Sequence, residues 1–181
     1  MKATEKLIQE HEEVLLMLKI IGSVTNKLEA EEQVNPLHLE AIIDYLKTFV
    51  DKSHHGKEET LLFPALTQKG IPNEGGPVGV MLAEHTAGRN FIKGMSDAVT
   101  AYRNGKNNAV REIVSNAKDY SNLLSQHIFK ENNILFRMAN STLTDSEQIH
   151  LAEEFDELER NIIGKDNPYH RILLELKEVY L

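Results

Sequence analysis

The sequence predicts an all-α protein: an up-down-up-down four-helix bundle with one or two short C-terminal helices. Three observations predict it. Apolar residues recur at helical spacing along nearly all 181 residues. Alternating patterns of the kind a half-buried strand needs are missing. Four long periodic stretches are joined by short turn signals, which places successive helices side by side and antiparallel.

Leu7, Ile8, Leu15, Leu18 and Ile21 mark a first helix over about residues 3–30. Asn35-Pro36 opens a second, with Asn as the cap and Pro in the first turn. It runs to about Leu66. Pro64 is expected to end or bend it, because proline removes a backbone donor and clashes one turn back. Residues 70–79, with two prolines and four glycines, form the longest break. A third helix covers about residues 77–102. Asn104-Gly105 is a turn signal, and a fourth helix runs from about Asn107 to Ala139. Thr144 with Glu147 reads as a capping box for a shorter fifth helix, and Asn167-Pro168 opens a last one that ends at Leu181. The chain divides into a bundle over residues 1–140 and a helical appendage over 141–181. Ile172, Leu173, Leu176 and Val179 of that appendage serve to cap the bundle or to form a dimer contact, so monomer and homodimer both stay open.

Composition narrows the function. Hydrophobic residues make up 41% and charged residues 27%, an ordinary globular balance. No apolar run approaches the roughly 20 residues of a membrane span. The polar stretch Met1–Glu13 is no secretory signal, so the cytoplasm is the default location. A net charge of −8 argues against nucleic acid or an anionic membrane as partner. The absence of cysteine excludes disulfides, thiolate metal sites and cysteine nucleophiles. Residues 70–79 lack the lysine of a phosphate-binding loop, and no Ser-His-Asp arrangement can be read.

The eight histidines carry the functional argument. Residues 54–63, HHGKEETLLF, align with residues 127–136, HIFKENNILF, and five of the ten positions are identical. Each block follows a lone histidine on the preceding helix, His11 at 43 residues and His85 at 42. Both halves therefore hold one histidine on the first helix and His-x-x-x-Glu on the second. Residues four apart share a helix face, so His54 with Glu58, and His127 with Glu131, each aim a nitrogen and a carboxylate at one point. Inward clusters of histidine and carboxylate are how helical bundles build dinuclear iron or manganese sites. A carboxylate can bridge two cations while a neutral imidazole holds one, and the mixed donor set favours iron or manganese. Four histidines with Glu58 and Glu131 as bridges give each metal two nitrogens and two oxygens. Positions remain for an oxo or hydroxo bridge and a small exogenous ligand.

A blander reading stands beside this one. A single His-x-x-x-Glu is usually a surface pair worth a few tenths of a kcal/mol, and satisfied core histidines are common. The repeat and the apolar flanks count against it: Leu7, Ile8, Leu15 and Leu18 beside His11, Met81, Leu82 and Ile92 beside His85, and Leu123, Leu124 and Ile134 beside His127. His55 and Glu59 form a second i, i+4 pair, about 100° round an α-helix. The repeat selects His54 and Glu58 and leaves His55 and Glu59 as a solvated or supporting pair. His38 lies 16 residues before His54, roughly 24 Å along a helix, and His150 and His170 read as surface.

The pattern His11, His54-x-x-x-Glu58, His85, His127-x-x-x-Glu131 resembles the hemerythrin-like HHE cation-binding family. HHGKEETLLFP (54–64), GGPVGVMLAEH (75–85) and HIFKENNILF (127–136) carry the resemblance, which covers about residues 5–140. It implies a non-haem diiron centre, with zinc or manganese able to take the same donors, and ligand roles for His11, His54, Glu58, His85, His127 and Glu131. Two positions depart from the oxygen-carrying members. Arg89 stands where they have a second third-helix histidine, and Asn132 stands where they have an aspartate, with Glu131 taking its place. The chain is thereby closer to the branch that includes the di-iron iron–sulfur repair proteins, without a counterpart of their cysteine-bearing N-terminal domain. The expected functions are binding or sensing of O2 or NO, enzymatic reduction of peroxide, O2 or NO, and iron storage, delivery or sensing. A metal-free structural bundle is the fourth. Tyr120, seven residues before His127, reads first as a core tyrosine and second as a neighbour of the site.

Overall fold

The computed structural model describes residues 1–106 and 108–181. Six helices follow one another, and no strand occurs among the described residues. They are α1 (Ala3–Glu29), α2 (36–68), α3 (Pro77–Arg103), α4 (109–142), α5 (Asp145–Ile162) and α6 (Tyr169–Tyr180). The Asn35 side chain accepts from the Leu37 amide, 3.0 Å, and Pro36 fills the first turn of α2. Gly105 takes φ 78° in the turn after α3, a conformation open to glycine at little cost. Thr144 and Glu147 form the reciprocal capping box that starts α5. The start of the fourth helix expected at Asn107 falls outside the described residues; α4 is described from Ala109.

Two of the long helices are not uniform. α2 begins as an α-helix at Pro36–Asp44, widens to π geometry at Tyr45–His55 and again at Glu58–Leu62, and closes as an α-helix at Phe63–Gln68. α4 is an α-helix over Ala109–Lys130, a π-helix over Glu131–Leu135 and an α-helix over Phe136–Thr142. π turns inside α-helices are rare and concentrate at functional sites. All three here carry or adjoin a histidine or glutamate singled out by the sequence. The helix passes Pro64 and ends at Gln68, two residues beyond the expected bound at Leu66. The π turn Glu58–Leu62 lies just before Pro64, where the proline removes a backbone donor.

α1 packs on α4 and α6, α3 on α4, and α2 on α3, with α5 lying against α1 and α2. The apolar interior falls into two clusters. The larger is built from Val14, Met17, Ile20, Tyr45, Leu46, Phe49, Ile92, Met95, Tyr120 and Leu124, among others. The smaller gathers Leu7, Leu62, Phe63, Leu66, Met81, Phe136 and Phe155 around Ala3. α6 adds Leu173, Leu176 and Tyr180 to the larger cluster, and Tyr169 stands edge-on to Tyr45 at 5.8 Å. Leu15 and Ile134, counted with the apolar stripes above, lie exposed at helix edges. Among the described residues no helix is long and apolar enough to cross a membrane.

Candidate metal centre

Seven polar side chains form a buried layer: His11, His54, His55, Glu58, His85, His127 and Glu131. Each half of the bundle contributes in the same way. His11 on α1 meets His54 on α2 with their Nε2 atoms 3.0 Å apart. His85 on α3 meets His127 on α4 with their Nε2 atoms 3.2 Å apart. Metal–imidazole bonds measure about 2.0–2.1 Å, so two at right angles place their nitrogens about 3 Å apart. The two carboxylates span the pairs. Glu58 reaches to 3.9 Å from His54 Nε2 with one oxygen and to 3.4 Å from His85 Nε2 with the other. Glu131 lies 3.1 Å from His11 Nε2 and 3.2 Å from His127 Nε2.

The ring orientations are fixed from outside. His54 Nδ1 meets Glu10 at 2.7 Å, and His127 Nδ1 meets Glu84 at 3.0 Å. His85 Nδ1 meets Glu59 at 2.7 Å, and His11 Nδ1 meets the Asn132 side-chain oxygen at 2.8 Å. An oxygen at Nδ1 selects the tautomer that leaves the Nε2 lone pair facing inward, as metal-holding histidines require. The internal repeat runs through this outer ring. Glu10 and Glu84 each stand one residue before a site histidine, and Glu59 and Asn132 each one residue after a site glutamate. Lys57 Nζ donates to Glu10 and to Glu159 of α5, and Lys130 pairs with Glu84. Phe136 stacks on His11 at 5.5 Å, and Phe63 on His85 at 6.0 Å. Glu10 and Glu84 were not anticipated; the repeated Glu-His dipeptide was their sequence signal.

Of the two expectations for His55 and Glu59, a solvated or a supporting pair, burial of His55 overturns the first. His55 is 3% exposed and its ring lies parallel to that of His85, with centroids 3.8 Å apart. The 100° separation from His54 assumed an α-helix, whereas the π segment turns both rings inward. Glu59 stays at the edge, where it holds His85 and accepts from Arg89 at 2.7 Å. Among the others, His38 bonds Tyr180 Oη at 2.8 Å, far from the layer, and His150 and His170 are exposed. Tyr120 sits in the larger apolar cluster, where burial raises its pKa.

The electrostatics favour bound cations. Both oxygens of Glu58 and of Glu131 are buried without a hydrogen-bond donor of proper geometry among the described residues. A carboxylate in that position is costly unless a cation compensates it. Burial disfavours the His127 imidazolium, yet Glu131 and Glu84 outweigh it and push its pKa up to about 10. His11 and His85 are raised in the same way by Glu131 and Glu58 respectively. Glu131 is driven well below its usual range, against its own burial, by His127 and His11. Burial and then the neighbouring imidazoles hold His55 neutral. Two groups of four donor atoms lie within 4.8 Å of one another: His11, His54, Glu58 and Glu131, and His55, Glu58, His85 and His127. Buried imidazole and carboxylate converging in this way fit metal cations.

Known proteins are similar to this chain in sequence. An iron-sulfur cluster repair protein, YtfE, of Yersinia pestis (strain Pestoides F) is 31% identical over 133 residues, 71% of this chain and 59% of that protein. An uncharacterized protein of Mycobacterium tuberculosis (strain ATCC 25618 / H37Rv) is 23% identical over 163 residues, 90% of this chain and 63% of that protein. The chain thus spans about three-fifths of the length of these relatives. The hemerythrin HHE cation binding domain model matches residues 2–139, the stretch that contains every residue of the buried layer. With its repeated His and His-x-x-x-Glu frame closed around one polar layer, this chain belongs to the hemerythrin HHE cation-binding family.

Proposed function

We propose that His11, His54, His85, His127, Glu58 and Glu131 hold two iron ions, and that the centre binds or senses a small ligand such as O2 or NO. The observation that carries this reading is the pair of carboxylates, each spanning two histidine pairs with no other partner for its oxygens. Histidine and carboxylate together suit iron. Bound iron supplies Lewis acidity and redox electrons. The chain's own residues do the rest: Glu10, Glu59, Glu84 and Asn132 orient the imidazoles, and Phe63, Phe136, Leu62 and Leu135 keep water from the donors.

Metal content and the visible spectrum test it, on protein purified in air and again after anaerobic reduction. About two irons per chain, with ferric bands that bleach on reduction, are expected. Glu58→Ala and Glu131→Ala are each expected to lose at least one metal. Reversible, stoichiometric spectral change on adding O2 or NO supports binding; no response to either gas sinks that part of the reading. Sustained turnover of peroxide would instead place the chain among enzymes. A second reading, iron delivery, is favoured by the likeness to a cluster repair protein. It predicts irons that pass readily to chelators.

A further inference from the structure

We propose that His55 is a fifth imidazole donor to the metal centre, giving the cation beside His85 and His127 a third nitrogen. This rests on the metal-binding reading above and goes beyond its six donors.

Both ring nitrogens of His55 are buried without a hydrogen-bond partner among the described residues. A ring present only for packing would have no need of them, since phenylalanine fills such a space without a desolvated polar atom. One of them lies within 4.8 Å of the donor atoms of Glu58, His85 and His127. The other four histidines follow one rule: an outer oxygen faces Nδ1 and Nε2 points inward. His55 repeats it only loosely, with a carboxylate near Nδ1 but outside hydrogen-bond geometry. Asp51 Oδ1 stands 3.5 Å from His55 Nδ1, and Arg89 fixes Asp51 through a 2.7 Å bond. Nε2 is left for the interior.

The arrangement exists on one side of the bundle only. In the internal repeat His55 corresponds to Ile128, Asp51 to Leu124 and Arg89 to Leu15. The two cations would therefore differ, with two imidazoles on the His11 and His54 side and three on the other. The long π segment Tyr45–His55 is the local device, because it presents His54 and His55 to the same layer.

The test loads wild type, His55→Phe and His55→Ala with 57Fe(II) under anaerobic conditions. Metal content, affinity and Mössbauer spectra are read, with circular dichroism to confirm retained helix. His55→Phe keeps a ring against His85 and removes the nitrogens, so it decides the matter even if His55→Ala folds poorly. Wild type is expected to show two distinct iron environments. In His55→Phe the second iron is expected to bind at least about tenfold more weakly, since even outer partners of a ligand are worth 10–100-fold. Added imidazole should restore it in His55→Ala. Two irons held with unchanged affinity and unchanged spectra in both variants would make His55 a stacked ring only. Failure of wild type to bind any metal would instead overturn the reading beneath it.

Discussion

Glu10 and Glu84 show how the internal repeat works at the scale of single residues. Each orients a histidine of the opposite helix and anchors a lysine three residues further along that helix. The surroundings differ. Lys57 is almost fully buried and depends on Glu10 and Glu159, whereas Lys130 is partly exposed. Burial alone would raise the Glu10 pKa; His54 and Lys57 bring it down to about 2. Substituting either glutamate by glutamine should weaken metal binding by about 10–100-fold, because the imidazole loses its fixed orientation. Only Glu10→Gln should also cost about 1.5–3 kcal/mol of stability, the range for a hydrogen bond to a charged group. Glu84→Gln should cost less than about 1 kcal/mol. Isothermal titration with Fe(II) and urea unfolding of the metal-free variants separate the two effects. Equal stability losses would contradict the assignment of Lys57. The sequence showed His-x-x-x-Glu twice because i, i+4 spacing leaves a visible mark. It did not show Asp51 and Arg89 beside His55, since no repeat or spacing connects them.

At the scale of helices, the bounds and caps could be read from single residues such as Asn35, Pro36, Thr144 and Glu147. The π segments could not. A period of 3.6 is assumed in any reading of a helix face, and a widened turn changes which neighbours share that face. His55, which lies in such a segment, is buried where an α-helical reading left it at the edge. The capping box of α5 offers a test at this scale. Thr144→Ala should cost about 1 kcal/mol, a drop of roughly 2–4 °C in Tm for a chain of this length. Glu147 adds a pH dependence. Its bond from Lys69, followed by those from Thr144, lowers its pKa from 4.5 to about 2. The group is exposed, so the effect is small, but its sign is fixed. The stabilisation is complete above pH 4.5 and is lost as pH falls through about 2. The Tm difference between wild type and Glu147→Gln should narrow across that window. A difference that stays constant with pH would refute it.

For the molecule as a whole, the decisive feature is that the polar layer parts the apolar interior into two clusters. The larger cluster joins α1, α2, α3, α4 and α6. The smaller is held by the ends of α1, α2, α3 and α4 with α5 across them. Between the two, four carboxylate oxygens are buried with no hydrogen-bond donor of proper geometry among the described residues. On the proposed reading, a metal bound here would add folding energy to the region that spans the layer. A ligand at 100 times its Kd adds about 2.7 kcal/mol to the folded state, which for this length is a rise of roughly 5–11 °C in Tm. The loss on chelation should not be uniform, since local opening follows local support. Amide exchange in metal-free protein should therefore accelerate first at residues 58–66 and 131–139, which join the layer to the smaller cluster. Residues 42–50, packed in the larger cluster, should keep their protection. Uniform acceleration along α2 would mean that the two clusters unfold as one unit and that the layer does not divide the molecule energetically.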